Sequence, residues 1–208
     1  MTMPKTAGSP VRLGAIILAG GLATRMQGHD KGLVPFQGQP LICHLLPVVR
    51  PACQWLGVSA NRNQAAYQQL SQADAVFADA DAYAAQGPLA GLASAGPLLP
   101  ALDWLLVLPC DTPKLPHTLV PRLLAAATER PEVLAWYAQT DDGPQPSIML
   151  LRPHLLASLP DYLARGERTL RGFLQQHQAA ALYFPETAAF ANGNRYQDLD
   201  NMADQESS

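Results

Sequence analysis

Cysteine is scarce and poorly placed for either of its usual structural roles. The 208 residues contain three, Cys43, Cys53 and Cys110. An odd number with no C-x-x-C pair argues against a disulfide framework or a zinc knuckle and fits a reducing cytoplasm. Charge is sparse as well: charged residues make up 15%, the net charge is −3, and the 14 Lys and Arg are spread thinly. A nucleic-acid binder normally presents a basic face, so no nucleic-acid partner is expected and any basic site must be local. Near the N-terminus the longest apolar run, Ala15 to Ala19, is far too short for a membrane span, and no signal-peptide cleavage pattern precedes it. A soluble, cytoplasmic protein with no membrane partner is expected. HExxH is missing, and His29, His44, His117, His154 and His177 are scattered without metal-ligand spacing. GLASAG at 91–96 is not GxSxG, so Ser94 reads as a small helix residue rather than a hydrolase nucleophile.

What is present is apolar sequence in short, punctuated pieces. Apolar residues reach 48%, enough for one substantial core, while 19 prolines interrupt helices and stiffen turns. One domain over 1–208 is expected, ordered over about 13–200, with a polar tail from Gln205. Ala15–Leu18, Trp55–Ala60, Ala75–Ala78, Trp104–Leu108, Val133–Ala138, Ser147–Leu151 and Ala180–Phe184 read as strands. Leu41–Val49, Gln64–Leu70, Leu89–Leu99, Thr118–Thr128, His154–Leu163 and Thr169–Gln176 read as helices, the first ending or kinking at Pro47. This alternation predicts an α/β chain with a mostly parallel central sheet, whose ligands bind beyond the carboxyl ends of the strands. Trp55, Trp104 and Trp136 lie in strands and are expected in the core, and Cys110 is expected to be buried packing.

The segment LAGGLATRMQGHDKG, residues 18–32, follows the first strand. Gly20 and Gly21 leave backbone N–H groups uncovered, and Arg25 and Lys31 add a forked guanidinium and a mobile ammonium. Either this is a phosphate cradle or a tight turn with two solvated cations. It contains neither GxxxxGK followed by Ser or Thr nor GxGxxG, so neither a P-loop nor a dinucleotide fingerprint is present. Asp111 follows LLVLPC at the carboxyl end of a buried strand and would face the same crevice, as a magnesium ligand or as a cap of the next turn. Asn61 and Asp79 follow the second and third strands on the same side, where amide and carboxylate edges can bond a base or ribose, with Asp81 an alternative to Asp79. Gly87 to Gly91 reads as a close helix approach to a nucleotide or as a packing helix start.

The pattern at 18–32 resembles the LAGGxxxRMGxxK signature of the molybdenum cofactor guanylyltransferase family. PFQGQPL (35–41), SANRN (59–63), GPLAGL (87–92), PCDTP (109–113), PSIMLL (146–151), RGERTLRGFL (165–174) and FANGN (190–194) continue the resemblance in order over about 13–200. The sequence departs from the pattern at Gln27, at Ser59, and at Arg195 to Gln197, where the family's NxNTPEDL becomes NGNRYQDL. The resemblance implies a three-layer, Rossmann-like nucleotidyltransferase fold. It also implies transfer of GMP from GTP to molybdenum-bound molybdopterin, with Mg²⁺ as cofactor and transient contact with cofactor-biosynthesis proteins or a molybdoenzyme. On this view Arg25, Lys31 and Asp111 serve catalysis. Leu18, Ala19, Gly20, Gly21, Lys31, Asn61, Asp79, Gly87 and Asp111 hold the nucleotide. Asp111 with Asn192 or Asn194 holds the metal, unless an asparagine orients the acceptor phosphate instead, while Glu167, Arg168 and Arg171 either fall on the acceptor side or form a charged, capped helix start. Two other activities share the chemistry, a cytidylyltransferase of the same cofactor and a sugar-phosphate nucleotidyltransferase. A non-catalytic cofactor-insertion chaperone is the alternative from another class.

Overall fold

The computed structural model describes residues 10–20, 30–84, 86–193, 198 and 202. The strand expectations translate into a sheet through burial. β1 (Leu13–Leu18) carries apolar side chains on both faces and is almost wholly buried, the pattern of a central parallel strand. It pairs in parallel with β4 (Trp55–Ser59) on one side and with β6 (Trp104–Pro109) on the other. β5 (Ala75–Phe77) extends the sheet beyond β4. Past β6 come β8 (Gly143–Leu151), β7 (Ala135–Thr140) and β9 (Ala180–Tyr183), giving the order β5-β4-β1-β6-β8-β7-β9. Within this sheet, among the described residues, β8 alone runs against its neighbours. A separate hairpin pairs β2 (Pro35–Phe36) with β3 (Gln39–Pro40).

Alternation along the strands sorts the core into two halves. Leu13, Ala15 and Ile17 of β1, with Leu106 and Leu108 of β6, face α1 (Leu41–Val49), α2 (Gln64–Ser71) and α4 (Leu119–Glu129). Ile16, Leu105, Val107 and Met149 face the other way, onto α3 (Pro88–Ala95), α5 (Leu159–Ala164) and α6 (Leu170–Gln176). The result is three layers, helices on both faces of a mostly parallel sheet, as expected. No helix among the described residues is long and apolar enough to cross a membrane.

Several expected elements differ in detail. The helix expected over Leu89–Leu99 ends at Ala95, because Gly96 and Pro97 shift the chain into a tighter 3-10 turn over Gly96–Leu98. Pro160 similarly divides His154–Leu163 into a 3-10 stretch, Pro153–Ser158, and α5. Pro47 does not end α1, which runs on to Val49 and keeps the bond from Arg50 N to the Leu46 carbonyl at 2.9 Å. β8 begins at Gly143, four residues before the expected start. Pro144 and Pro146 mask it in the sequence, and the register to β7 slips between Tyr137 and Ala138 to accommodate them.

The connection leaving β1 passes through α1 to β4 on one side, and the chain later returns through α3 to β6 on the other. β1 is therefore the switch point of the sheet, and the crevice above its carboxyl end is where ligands bind in such folds. The ends of β1, β4, β5 and β6 supply its walls.

Candidate active site

Two backbone bonds set the floor. Ala19 N donates to the Ser59 carbonyl at 2.8 Å and Cys110 N donates to the Leu18 carbonyl at 3.0 Å, so the pairing of β1 with both neighbours continues one residue past the strands. Leu18, Ala19 and Gly20 are thereby fixed between Ser59 and Cys110. Beneath them α3 comes unusually close: a Cβ at Gly91 would collide with the Ser59 hydroxyl and stand 3.1 Å from Ser59 Cβ. Gly91 is thus required by packing against β4. Gly87 precedes α3 with φ of 76°, a left-handed conformation that favours glycine, and Pro88 then starts the helix.

Asn61 ties three strand ends together. Its Nδ2 donates to Asp79 Oδ2 at 2.8 Å and to the Gly20 carbonyl at 3.3 Å, and its Oδ1 accepts from Asp79 N at 2.8 Å. Asp79, rather than Asp81, is the carboxylate joined to this knot. Burial raises the Asp79 pKa above the usual carboxylate value, and the bond from Asn61 pulls against that shift. Ser94 adds a brace, since its hydroxyl donates to the Ala90 carbonyl and accepts from Ala80 N, both at 2.8 Å. Ser94 is therefore the helix residue expected, with the added task of pinning the loop after β5.

On the opposite side of β1, Lys31 Nζ is paired with Asp111 Oδ2. Lys31 sits in a 3-10 turn, Lys31–Leu33, and Asp111 follows β6 with only 8% of its surface exposed. A carboxylate so far removed from water requires a partner, and the ammonium supplies it. Cys110, next to Asp111, is buried packing, and burial pushes its thiol well above the usual range. Gly193 N donates to the Asp111 carbonyl at 2.8 Å, which brings Asn192 to the rim. Asn192 lines a polar cleft of about 360 Å³ with Asp142, Gln145, Thr187, Phe190 and Asp198.

The structure thus gathers Leu18, Ala19, Gly20, Lys31, Asn61, Asp79 and Asp111 at one end of the sheet. Asn192 approaches through its neighbour, and Gly87 begins the helix packed beneath. Gly21, Arg25, Gln27 and Asn194 lie outside the described residues. Glu167, Arg168 and Arg171 lie in or beside the loop before α6, where Arg168 donates to the Leu163 carbonyl at 2.6 Å and so is committed to the backbone. Sequence reasoning passed over Asp30, Asn63 and Tyr67. The Tyr67 phenol donates to Asp30 Oδ1, and Asn63 Nδ2 donates to Asp30 Oδ2 at 3.2 Å. The available signal was spacing: Asn63 and Tyr67 are four apart at the start of a helix, and Asp30 adjoins the lysine.

A parallel switch point walled by glycine backbone, a lysine, an amide and two carboxylates defines a nucleotide-handling α/β protein. The chain belongs to the MobA-like NTP transferase family, whose domain description matches residues 15–181. Molybdenum cofactor guanylyltransferase from Shewanella frigidimarina is 42% identical over 195 residues, 93% of this chain and 97% of its own length. A putative molybdenum cofactor guanylyltransferase from Neisseria meningitidis is 41% identical over 187 residues, 89% and 96% of the two chains. Among solved structures, molybdopterin-guanine dinucleotide biosynthesis protein A from Archaeoglobus fulgidus has the same fold, with a TM-score of 0.67 and 19% identity over 93% of this chain and 98% of that one.

Proposed function

We infer that this protein transfers GMP from GTP to the phosphate of molybdenum-bound molybdopterin, giving the guanine dinucleotide cofactor and pyrophosphate. The observation that carries the reading is the pairing of Lys31 with Asp111 at the open end of β1 and β6, beside the Gly20 backbone. The full-length identity of about two residues in five to named guanylyltransferases supports the choice of substrates.

The reaction joins an acceptor phosphate oxygen to the α-phosphorus of GTP and breaks the bond from that phosphorus to the bridging oxygen, releasing pyrophosphate. The acceptor phosphate is already an anionic nucleophile, so alignment and charge stabilisation dominate and no strong protein base is required. Lys31 stabilises charge on the triphosphate and on the departing pyrophosphate, with Arg25 as a second cation and the Gly20 and Gly21 amides fixing the phosphate path. Asp79, held by Asn61, offers a carboxylate to the base, and guanine suits it because its ring N–H and exocyclic amine are adjacent donors.

The donor set fits Mg²⁺. Among the described residues no group of three or more His, Cys, Asp or Glu forms a self-sufficient metal cage, whereas one buried carboxylate with substrate phosphates is a usual arrangement for this ion. Asp111 would hold it, with Asn192 or Asn194 completing the shell. When bound there, the ion supplies charge neutralisation at the phosphate oxygens. The reading carries with it a cytoplasmic location and transient contact with a cofactor-biosynthesis protein or a molybdoenzyme, since the product must pass to an enzyme that uses it.

The test is pyrophosphate release with GTP, CTP or UTP, with and without molybdopterin, in the presence of magnesium. Release with GTP that requires molybdopterin is expected. Preference for CTP would make the enzyme a cytidylyltransferase, and pterin binding with no release would make it a carrier.

A further inference from the structure

The reaction as described leaves one arrangement beside Lys31 unused. Asn63 and Tyr67 stand one helical turn apart at the start of α2, and both turn to Asp30, the residue that precedes the lysine. Each carboxylate oxygen of Asp30 accepts from a different side chain of the same helix, Oδ1 from the Tyr67 phenol and Oδ2 from Asn63 Nδ2. The reach of Tyr67 depends on its surroundings. The side chain has no exposed surface, and it passes directly under Gly32, where a Cβ would stand 2.6 Å from the phenolic oxygen. Asn63 holds φ of 49°, a left-handed conformation that asparagine tolerates better than most residues, and so its amide is aimed back at the turn.

These contacts fix the base of the lysine. The Asp30 carbonyl accepts from Leu33 N at 3.0 Å, closing the turn on which Lys31 rides. A lysine side chain is a long flexible stem with a point charge at its tip, so the direction of its backbone decides where the ammonium spends its time. Both partners of Asp30 are neutral donors. They satisfy the carboxylate without adding a second cation, and Lys31 is left paired with Asp111. The same short segment also carries Asn61, so residues 61 and 63 hold Gly20 and Asp79 on one side and Asp30 on the other.

We propose that Asn63 and Tyr67 clamp Asp30 and thereby position Lys31 at the reacting phosphates. Asp30, Asn63 and Tyr67 are positioning residues that act through the lysine, and the proposal rests on the reading of Lys31 given above.

Tyr67→Phe keeps the buried ring and removes the donated hydrogen bond. Its kcat for pyrophosphate release should fall on the order of 10-fold while KM for GTP stays within about 3-fold, because alignment is lost and nucleotide binding is not. Asn63→Gly, which suits the left-handed backbone and removes only the amide, should act in the same direction without the burial penalty. The decisive comparison is made in a Lys31→Ala background. There Tyr67→Phe should change kcat by less than about 2-fold, since two changes acting through one group do not multiply. Full kcat in both single variants, or multiplied losses in the double variant, would overturn the proposal. A crystal structure of Tyr67→Phe gives an independent reading, with Lys31 Nζ expected to leave Asp111 and an unmoved ammonium counting against the clamp. If the native protein releases no pyrophosphate from GTP, the guanylyl reading fails by itself and this structure still decides the clamp.

Discussion

Lys31 and Asp111, eighty positions apart in the chain, meet as an ion pair across the end of the β1–β6 ladder. The lysine side chain is 22% exposed and the aspartate side chain 12%, so the pair is shielded from water yet open at one edge. On the proposed function an incoming ligand would divide this pair, phosphate oxygens meeting the ammonium and a cation meeting the carboxylate.

Removing either partner should therefore damage turnover more than folding. Lys31→Ala and Asp111→Ala are each expected to lower the rate by a factor on the order of 10²–10³, the cost of losing one well-placed electrostatic group. Circular dichroism should show the native helix and strand content in both. Near-native turnover in a purified variant would remove that residue from the mechanism.

Asp79 makes a separate prediction about the base. Losing a hydrogen bond to a charged group typically costs about 1.5–3 kcal/mol, so Asp79→Asn should raise KM for GTP on the order of 10-fold or more and leave kcat nearly unchanged. Steady-state kinetics on the native protein and the variant check this. An unchanged KM would show that the base is recognised elsewhere.

Gly91 tests the packing below the site. In an open helix, Gly→Ala gains about 1 kcal/mol, but here the new methyl would meet the Ser59 hydroxyl and approach Leu18 Cδ2 to 3.4 Å. Overpacking of this kind costs about 1–3 kcal/mol, so the clash should win and Gly91→Ala should lower stability in urea denaturation. Adding Ser59→Gly should recover part of the loss, and no recovery would place the strain elsewhere.

His177 predicts a pH dependence remote from the site. Its Nε2 lies 2.9 Å from Ser158 Oγ, whose hydroxyl donates to the Leu155 carbonyl at 2.8 Å, and its ring packs edge-on to Phe173. Burial first, and then the neighbouring His154, hold its pKa below the ordinary 6.5. The unfolded chain therefore takes up this proton more readily than the folded one. Its contribution is complete above the unfolded value and is lost as the pH falls below it. Stability measured in urea should decline from about pH 7 to about pH 5, and His177→Gln should flatten that slope.

Much of this fold was legible because apolar runs and their interruptions are local signals. Ala15–Leu18, Leu41–Val49 and Trp104–Leu108 each fall within or on an observed element, and their alternation was enough to set a parallel sheet and its ligand-bearing edge. The start of β8 was hidden because Pro144 and Pro146 are poor strand residues in general and are tolerated only beside a register slip. At the site, strand positions alone place the ends of β1, β4, β5 and β6, and so the sequence already groups Gly20, Asn61, Asp79 and Asp111. Asp30, Asn63 and Tyr67 were passed over because their meaning lies in a contact thirty-seven residues apart in sequence, between Asp30 and Tyr67. The choice of Asp79 over Asp81 likewise became visible only once Asn61 was seen to bond it.

The bond from Gly193 to the carbonyl of Asp111 has a further bearing on how the protein is made. The ribosome completes β6 and the turn carrying Asp111 well before it reaches Gly193, and β1 has both of its parallel neighbours by then. The buttress arrives only after a further 82 residues have been made. A nascent chain stalled before that point could bury much of its core, but the loop bearing its buried acid would lack the brace that Gly193 provides.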